Sequence, residues 1–202
     1  MSEEIEVIEM FVDYDNVDPG VFAVSVVDSP AIQTYPIALT THEVKLAEVD
    51  KKKQILMGAL LIPEDIIPRV DDKTKEVYGI KFSKETLFEI IKVYMQKGKQ
   101  NNTTLEHEVQ LDGNTIIEIW QKEDMVHDKS AMYGLSDPVG SIMISMFISD
   151  KEKYNEYVAS GKGFSLEGNF TSQLILKKDS KPSKDAELLE KIKNIIAEEE
   201  GN

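Results

Sequence analysis

The chain has 202 residues, 41% of them hydrophobic, with 37 acidic and 23 basic side chains and a net charge of −14. That length suits one domain with room for a tail, and the apolar fraction is enough for a packed core. A surface this acidic repels phosphate backbones and anionic lipid heads, which excludes nucleic-acid and membrane partners. The absence of cysteine excludes disulfides, a thiol nucleophile and thiolate metal sites, and is compatible with a reducing cytoplasm.

Residues 1–19 are acidic and end in the turn signal Asp18-Pro19-Gly20. The opening "MSEEIEVIEMF" has no basic stretch followed by an apolar run, so no secretion signal is expected, and no apolar stretch is long enough to span a bilayer. Residues 21–28, "VFAVSVVD", predict a buried strand ended by Ser29-Pro30, and a short extended run follows over 35–39. Further strands are predicted over 54–62 and 76–82. Ser83 then caps a helix whose Leu87, Ile90, Ile91, Tyr94 and Met95 share one face, ending at Lys97-Gly98. "TTLEHEVQL" and "TIIEIWQ" predict two strands joined through Asp112-Gly113-Asn114, and "VGSIMISMFI" a buried one. Ser149-Asp150-Lys151-Glu152 is a capping box for a second helix, with Gly161 as its terminator. Residues 163–176 form the last long strand.

The barrel-forming part is thus expected over 20–176. About eight strands and two internal helices without βα alternation predict a closed or nearly closed antiparallel sheet decorated by helices. Residues 177–185 are a polar linker. Residues 186–202 carry an amphipathic helix, with Leu188, Leu189, Ile192, Ile195 and Ile196 on one face. That helix either packs back on the domain or docks and oligomerises from a tether.

The chemistry-bearing residues sit in the second half. In "GKGFSLEGNF" (161–170) strand alternation puts Ser165, Glu167 and Asn169 on one face and Phe164, Leu166 and Phe170 on the other. A serine needs a base to be a nucleophile at neutral pH, and the chain has three histidines. His42 and His127 sit in polar connections and read as solvated, and no ligand spacing points to a metal. His107 lies in "LEHEVQL", where alternation groups it with Leu105, Val109 and Leu111. If Asp112-Gly113 makes a two-residue hairpin loop, His107 falls opposite Glu118, and a carboxylate there would orient the imidazole. Alternatively His107 is a core histidine and Ser165 only the polar face of a strand. The glycines at 161, 163 and 168 would let a substrate strand approach by β-addition.

Taken in order, "VSVVDSPAI", "LEHEV", "IIEIW" and "GKGFSLEGNF", with "LIPEDIIPRVDD" and "DKSAMYG", resemble the XkdF-like phage serine proteases. That family is similar to the prohead maturation proteases of tailed phages, themselves related to herpesvirus assemblins; the resemblance covers roughly residues 20–172. It implies an assemblin-like closed β-barrel of about seven strands surrounded by helices, with no cofactor and no metal. It implies a serine endopeptidase inside the procapsid in the host cytoplasm, cleaving the scaffold protein, the major capsid protein precursor and itself, with a homodimer as one allowed form. Ser165 takes the nucleophile position and His107 the base position. The order of the motifs looks circularly permuted, and the glutamate of the related "EVSLV" pattern is replaced here by Ala23. The third member is then Glu118 from the hairpin argument, Asp28 at the end of the same strand, or absent. Arg69 is an electrostatic alternative with little support. A structural procapsid protein that keeps the fold without activity is the competing reading.

Overall fold

The β-branched run near the N-terminus forms β2 (Gly20–Val27), seven of whose eight residues are buried. Its antiparallel partner is β11 (Gly163–Ser172), in register Phe164↔Val26, Ser165↔Ser25, Leu166↔Val24 and Glu167↔Ala23. The computed structural model describes residues 6–28, 46–71 and 73–172. The extended run over 35–39, His42, the linker 177–185 and the helix expected within 186–202 lie outside these residues.

Around the β2–β11 pair the described strands form two open sheets. The larger adds β1 (Val7–Val12), β5 (Ile67–Val70), β6 (Val77–Lys81), β7 (Thr103–Leu105) and β8 (Val109–Gln110), in the order β5-β6-β1-β11-β2-β7-β8. The smaller has β3 (Ala47–Asp50), β4 (Ile55–Leu61), β9 (Thr115–Gln121) and β10 (Ile142–Phe147), in the order β3-β4-β10-β9. Two pairings, β1–β6 and β2–β7, are parallel. The acidic N-terminal segment therefore supplies a strand to the middle of the larger sheet.

The closed barrel of about seven strands surrounded by helices does not form. Among the described residues there are two α-helices, α1 (Lys84–Gln96) and α2 (Lys151–Ser160), and each sheet keeps two free edges. The reason lies at Asp112-Gly113, expected to close a hairpin. Here β8 pairs back on β7, while β9 pairs with β10, so the loop is a corner that hands the chain from one sheet to the other. Gly113 has φ 82°, and a Cβ there would lie 2.8 Å from the Ser149 Oγ. That hydroxyl donates to the Asp112 carbonyl at 3.0 Å, which locks the corner against the start of α2.

Both helices begin and end where local chemistry directs. Ser83 caps α1, and Leu87, Ile90, Val93 and Tyr94 are its buried face. Asp150, one residue inside the expected box, caps α2 by accepting from the Glu152 and Lys153 N–H groups at 2.8 and 3.1 Å. Gly161, in the left-handed conformation at φ 69°, ends it.

The two sheets bury one continuous core. Val24, Val26 and Phe164 from the larger meet Leu56, Leu60, Ile144 and Met146 from the smaller, with α1 beside them. Phe82 and Phe170 add an edge-to-face pair, their centroids 4.9 Å apart. A second cluster covers the other face of the smaller sheet, where Met57, Ala59 and Met143 lie under Leu135 and Tyr133. Between Glu167 and Gly168 the β2–β11 register shifts by one, so that Val21 rather than Phe22 faces Gly168. This bulge returns Val21 to the core side. Gly168 permits it: a Cβ there would come within 2.8 Å of the Gly20 carbonyl oxygen and 2.6 Å of the Phe170 ring. Gly168→Ala is expected to destabilise the fold by about 1–3 kcal/mol, because backbone must move to make room. A shifted urea midpoint at unchanged slope would show it; an unchanged midpoint would mean the bulge relaxes freely.

Candidate active site

Residues paired across an antiparallel ladder share a face, with Cβ atoms about 5 Å apart. Ser165 is opposite Ser25, Glu167 is opposite Ala23, and Ser25 is in register with Thr104 on β7. One face of the larger sheet thus gathers Ser25, Thr104, Ser165 and Glu167. Ser25 is fully buried and Ser165 is 5% exposed. The opposite face of the same strands carries Val24, Val26, Phe164 and Leu166 into the core. The alternation read in "GKGFSLEGNF" is the alternation that forms.

His107 reaches this face by a route the sequence did not signal. "LEHEVQL" is not one strand. Leu105 pairs with Val109, and Glu106-His107-Glu108 form a tight turn between β7 and β8. Glu106 and His107 have φ of 51° and 62°, and the Glu108 N–H donates to the Leu105 carbonyl at 3.1 Å. Two consecutive non-glycine residues in the left-handed region cost roughly 1–2 kcal/mol each. The surroundings hold them there. The His107 N–H donates to the Ser25 Oγ at 2.9 Å, and the Glu106 N–H to the Val26 carbonyl at 3.0 Å. The Glu106 carboxylate accepts the Asp28 N–H at 2.7 Å and the Lys162 Nζ at 3.0 Å.

So placed, the His107 Nδ1 lies 3.3 Å from the Glu167 Oε1. The Thr104 hydroxyl donates to the same oxygen at 2.6 Å. A carboxylate beside Nδ1 favours the tautomer with the proton on that nitrogen, leaving Nε2 as the basic one. Ser25, committed to the His107 N–H and the Thr104 carbonyl, acts as a clip on the turn.

The hairpin register that set His107 against Glu118 does not occur. Glu118 lies on β9 in the other sheet, opposite Ser145, and pairs with Lys129. Burial pushes the Glu118 carboxyl up, but hydrogen bonding, led by Lys129, holds it below the usual glutamate range. Asp28 does not touch His107 either; its carboxylate, 70% exposed, pairs with Lys162. His127 sits in an exposed loop with its Nδ1 3.1 Å from Asp124. Among the described residues no cluster of three or more His, Asp or Glu side chains could hold a metal ion. Arg69 is on β5, in the wall of a cavity that touches Ser165.

Glu167 is the residue the sequence reading passed over. Its signal was present: it follows Ser165 by two on one strand face. It also stands directly across the ladder from Ala23 on β2. The edge of β11 is informative as well. Gly163–Asn169 pair with β2, whereas on the other side β1 meets only Phe170–Ser172. Among the described residues, the backbone at Ser165 is unpaired on that side.

Lys162 clamps the turn, bridging Asp28 and Glu106 with its side chain 6% exposed. Burial pushes its pKa down, but the two carboxylates outweigh burial and leave it above the ordinary lysine value. A raised lysine pKa stabilises the fold fully below the unfolded value near ~10.4, and the contribution is lost as pH rises through the folded value. Lys162→Met should cost up to about 1 kcal/mol at neutral pH, because both carboxylates it bridges stay partly solvated and Glu106 keeps the Asp28 N–H. The gap between wild type and variant in urea unfolding should narrow above that alkaline pH; a gap constant with pH would remove Lys162 from the clamp.

The chain matches no protein-family model, no curated protein and no solved structure.

Proposed function

We propose that the chain is a serine endopeptidase with Ser165 as nucleophile, His107 as general base and Glu167 as the group that orients the base. The observation that carries this reading is the 3.3 Å contact between the His107 Nδ1 and a Glu167 carboxylate on the strand face of Ser165. A serine, an imidazole and a carboxylate on the far ring nitrogen are the parts that Ser-His-acid hydrolysis needs, whatever the fold.

The His107 Nε2 takes the Ser165 hydroxyl proton as Oγ attacks the peptide carbonyl carbon. The imidazolium is stabilised by Glu167 and protonates the leaving amine. Water, activated by the same base, then hydrolyses the acyl-enzyme ester. Backbone N–H groups hold the oxyanion. An extended substrate lies along the unpaired edge of β11, by addition of a strand. The resemblance of the motifs to XkdF-like and prohead proteases supplies the setting: the procapsid interior in the host cytoplasm, with scaffold and capsid precursor as substrates and self-cleavage as a further reaction.

The burial of Ser165, 5% exposed, favours a second reading: a structural procapsid protein that keeps the fold without activity. The two separate on co-expression with the cognate capsid and scaffold proteins, followed by mass spectrometry of the products. Protease function predicts no processing with Ser165→Ala, processing slowed by about 10²–10⁴-fold with Glu167→Gln, and rates within about twofold of wild type with Glu118→Gln, since Glu118 pairs with Lys129 in the other sheet. Processing untouched by Ser165→Ala would hand the function to the structural reading.

A further inference from the structure

The chain contains one arginine, Arg69, against 22 lysines. It stands in the wall of a cavity of about 370 Å³. The rest of the wall is mainly apolar, including Ile8, Leu60, Ile80, Leu166 and Phe170, and holds no other charged side chain among the described residues. Half-buried on β5, the guanidinium makes one hydrogen bond there, to the Pro68 carbonyl at 2.9 Å. Burial pushes its pKa below the ordinary arginine value. A charge kept in such a place without a carboxylate partner among the described residues has most of its five donors to offer.

We infer that this cavity binds an apolar monocarboxylate, its head on Arg69 and its body along Ile80, Ile8 and Leu166. Three observations set the ligand class. Arginine presents a planar fork that matches a carboxylate in two parallel hydrogen bonds and is more weakly hydrated than lysine, which suits a desolvated site. One cation in an apolar wall balances one negative charge; a doubly charged phosphate would leave a charge buried and unpaired. Size and shape agree. β5, β6, β1 and β11 follow one another in the sheet, and β1 pairs with β11 only at Phe170–Ser172, so the cavity spans from Arg69 on β5 to Leu166 where β1 and β11 part. At about 30 Å³ of liquid volume per water molecule, the cavity has room for roughly a dozen waters, the scale of a short-chain organic acid. Ser165 also touches this cavity, but the assignment concerns Arg69 and the apolar wall and does not depend on Ser165 acting as a nucleophile.

Octanoate and octan-1-ol are the probes, read by methyl NMR shifts at Ile8, Leu60, Ile80 and Leu166 of the full chain. Octanoate should bind saturably at these methyls and at least about tenfold more tightly than octan-1-ol. Arg69→Lys and Arg69→Met should each weaken octanoate by about tenfold or more and leave octan-1-ol unchanged. No shift at these methyls, equal affinity for acid and alcohol, or equal octanoate affinity in wild type and Arg69→Met would each overturn the assignment. If the Arg69 variants do not fold, the acid-to-alcohol ratio on wild type decides it.

Discussion

The antiparallel pairing of β2 with β11 is the constraint on which the rest of the molecule depends. It joins a run buried on both faces to a strand whose faces differ in kind: Phe164 and Leu166 on one side, Ser165 and Glu167 on the other. Side chains alternate with a period of two, so a slip of one residue would put the serine and glutamate into the core and expose Phe164. The register is therefore fixed by burial, and the bulge at Gly168 pins it further. The β2 backbone passes so close there that any side chain on Gly168 would collide with the Gly20 carbonyl.

Once the pair is in register, the polar groups follow from it. Ser25 is brought beside Ser165 and turns its hydroxyl to the His107 N–H. The cost of holding Glu106 and His107 in the left-handed region is offset by hydrogen bonds from three sources: the β2 backbone, the Ser25 hydroxyl and the Lys162 ammonium. Such strain persists only where its surroundings over-determine it, which is common around working sites. The electrostatics fit the same picture. In a chain of net charge −14, the buried Lys162 is the cation that lets Glu106 and Asp28 approach each other beside the histidine.

The two faces of β11 thus differ in kind. One presents a hydroxyl, an imidazole and a carboxylate at the end of β2. The other walls an apolar cavity whose one charged side chain among the described residues is the only arginine in the sequence. Both lie next to the stretch of β11 that β1 leaves unpaired, and a strand added there would run alongside each of them.

What the sequence determined by itself is whatever local chemistry decides. Ser83 and Gly161 place helix ends, because capping groups act within one turn. The runs around 21–28, 54–62 and 163–172 are strands because their β-branched and alternating patterns leave no other way to bury them. The faces of Ser165 and Glu167 were readable for the same reason. The sequence could not tell which strands pair, because hydrogen bonds between strands carry no signature in either strand alone. Asp112-Gly113 reads the same as a hairpin loop or a corner between sheets, so His107 was matched to Glu118 on the wrong strand. The turn at Glu106-His107 has no glycine or asparagine to announce it, and the alternation of Leu105, Val109 and Leu111 disguised it as continuous strand. Tertiary structure settled both: contacts from Ser25, Val26 and Lys162, far apart in the chain, bend the backbone at His107 and set its ring against Glu167.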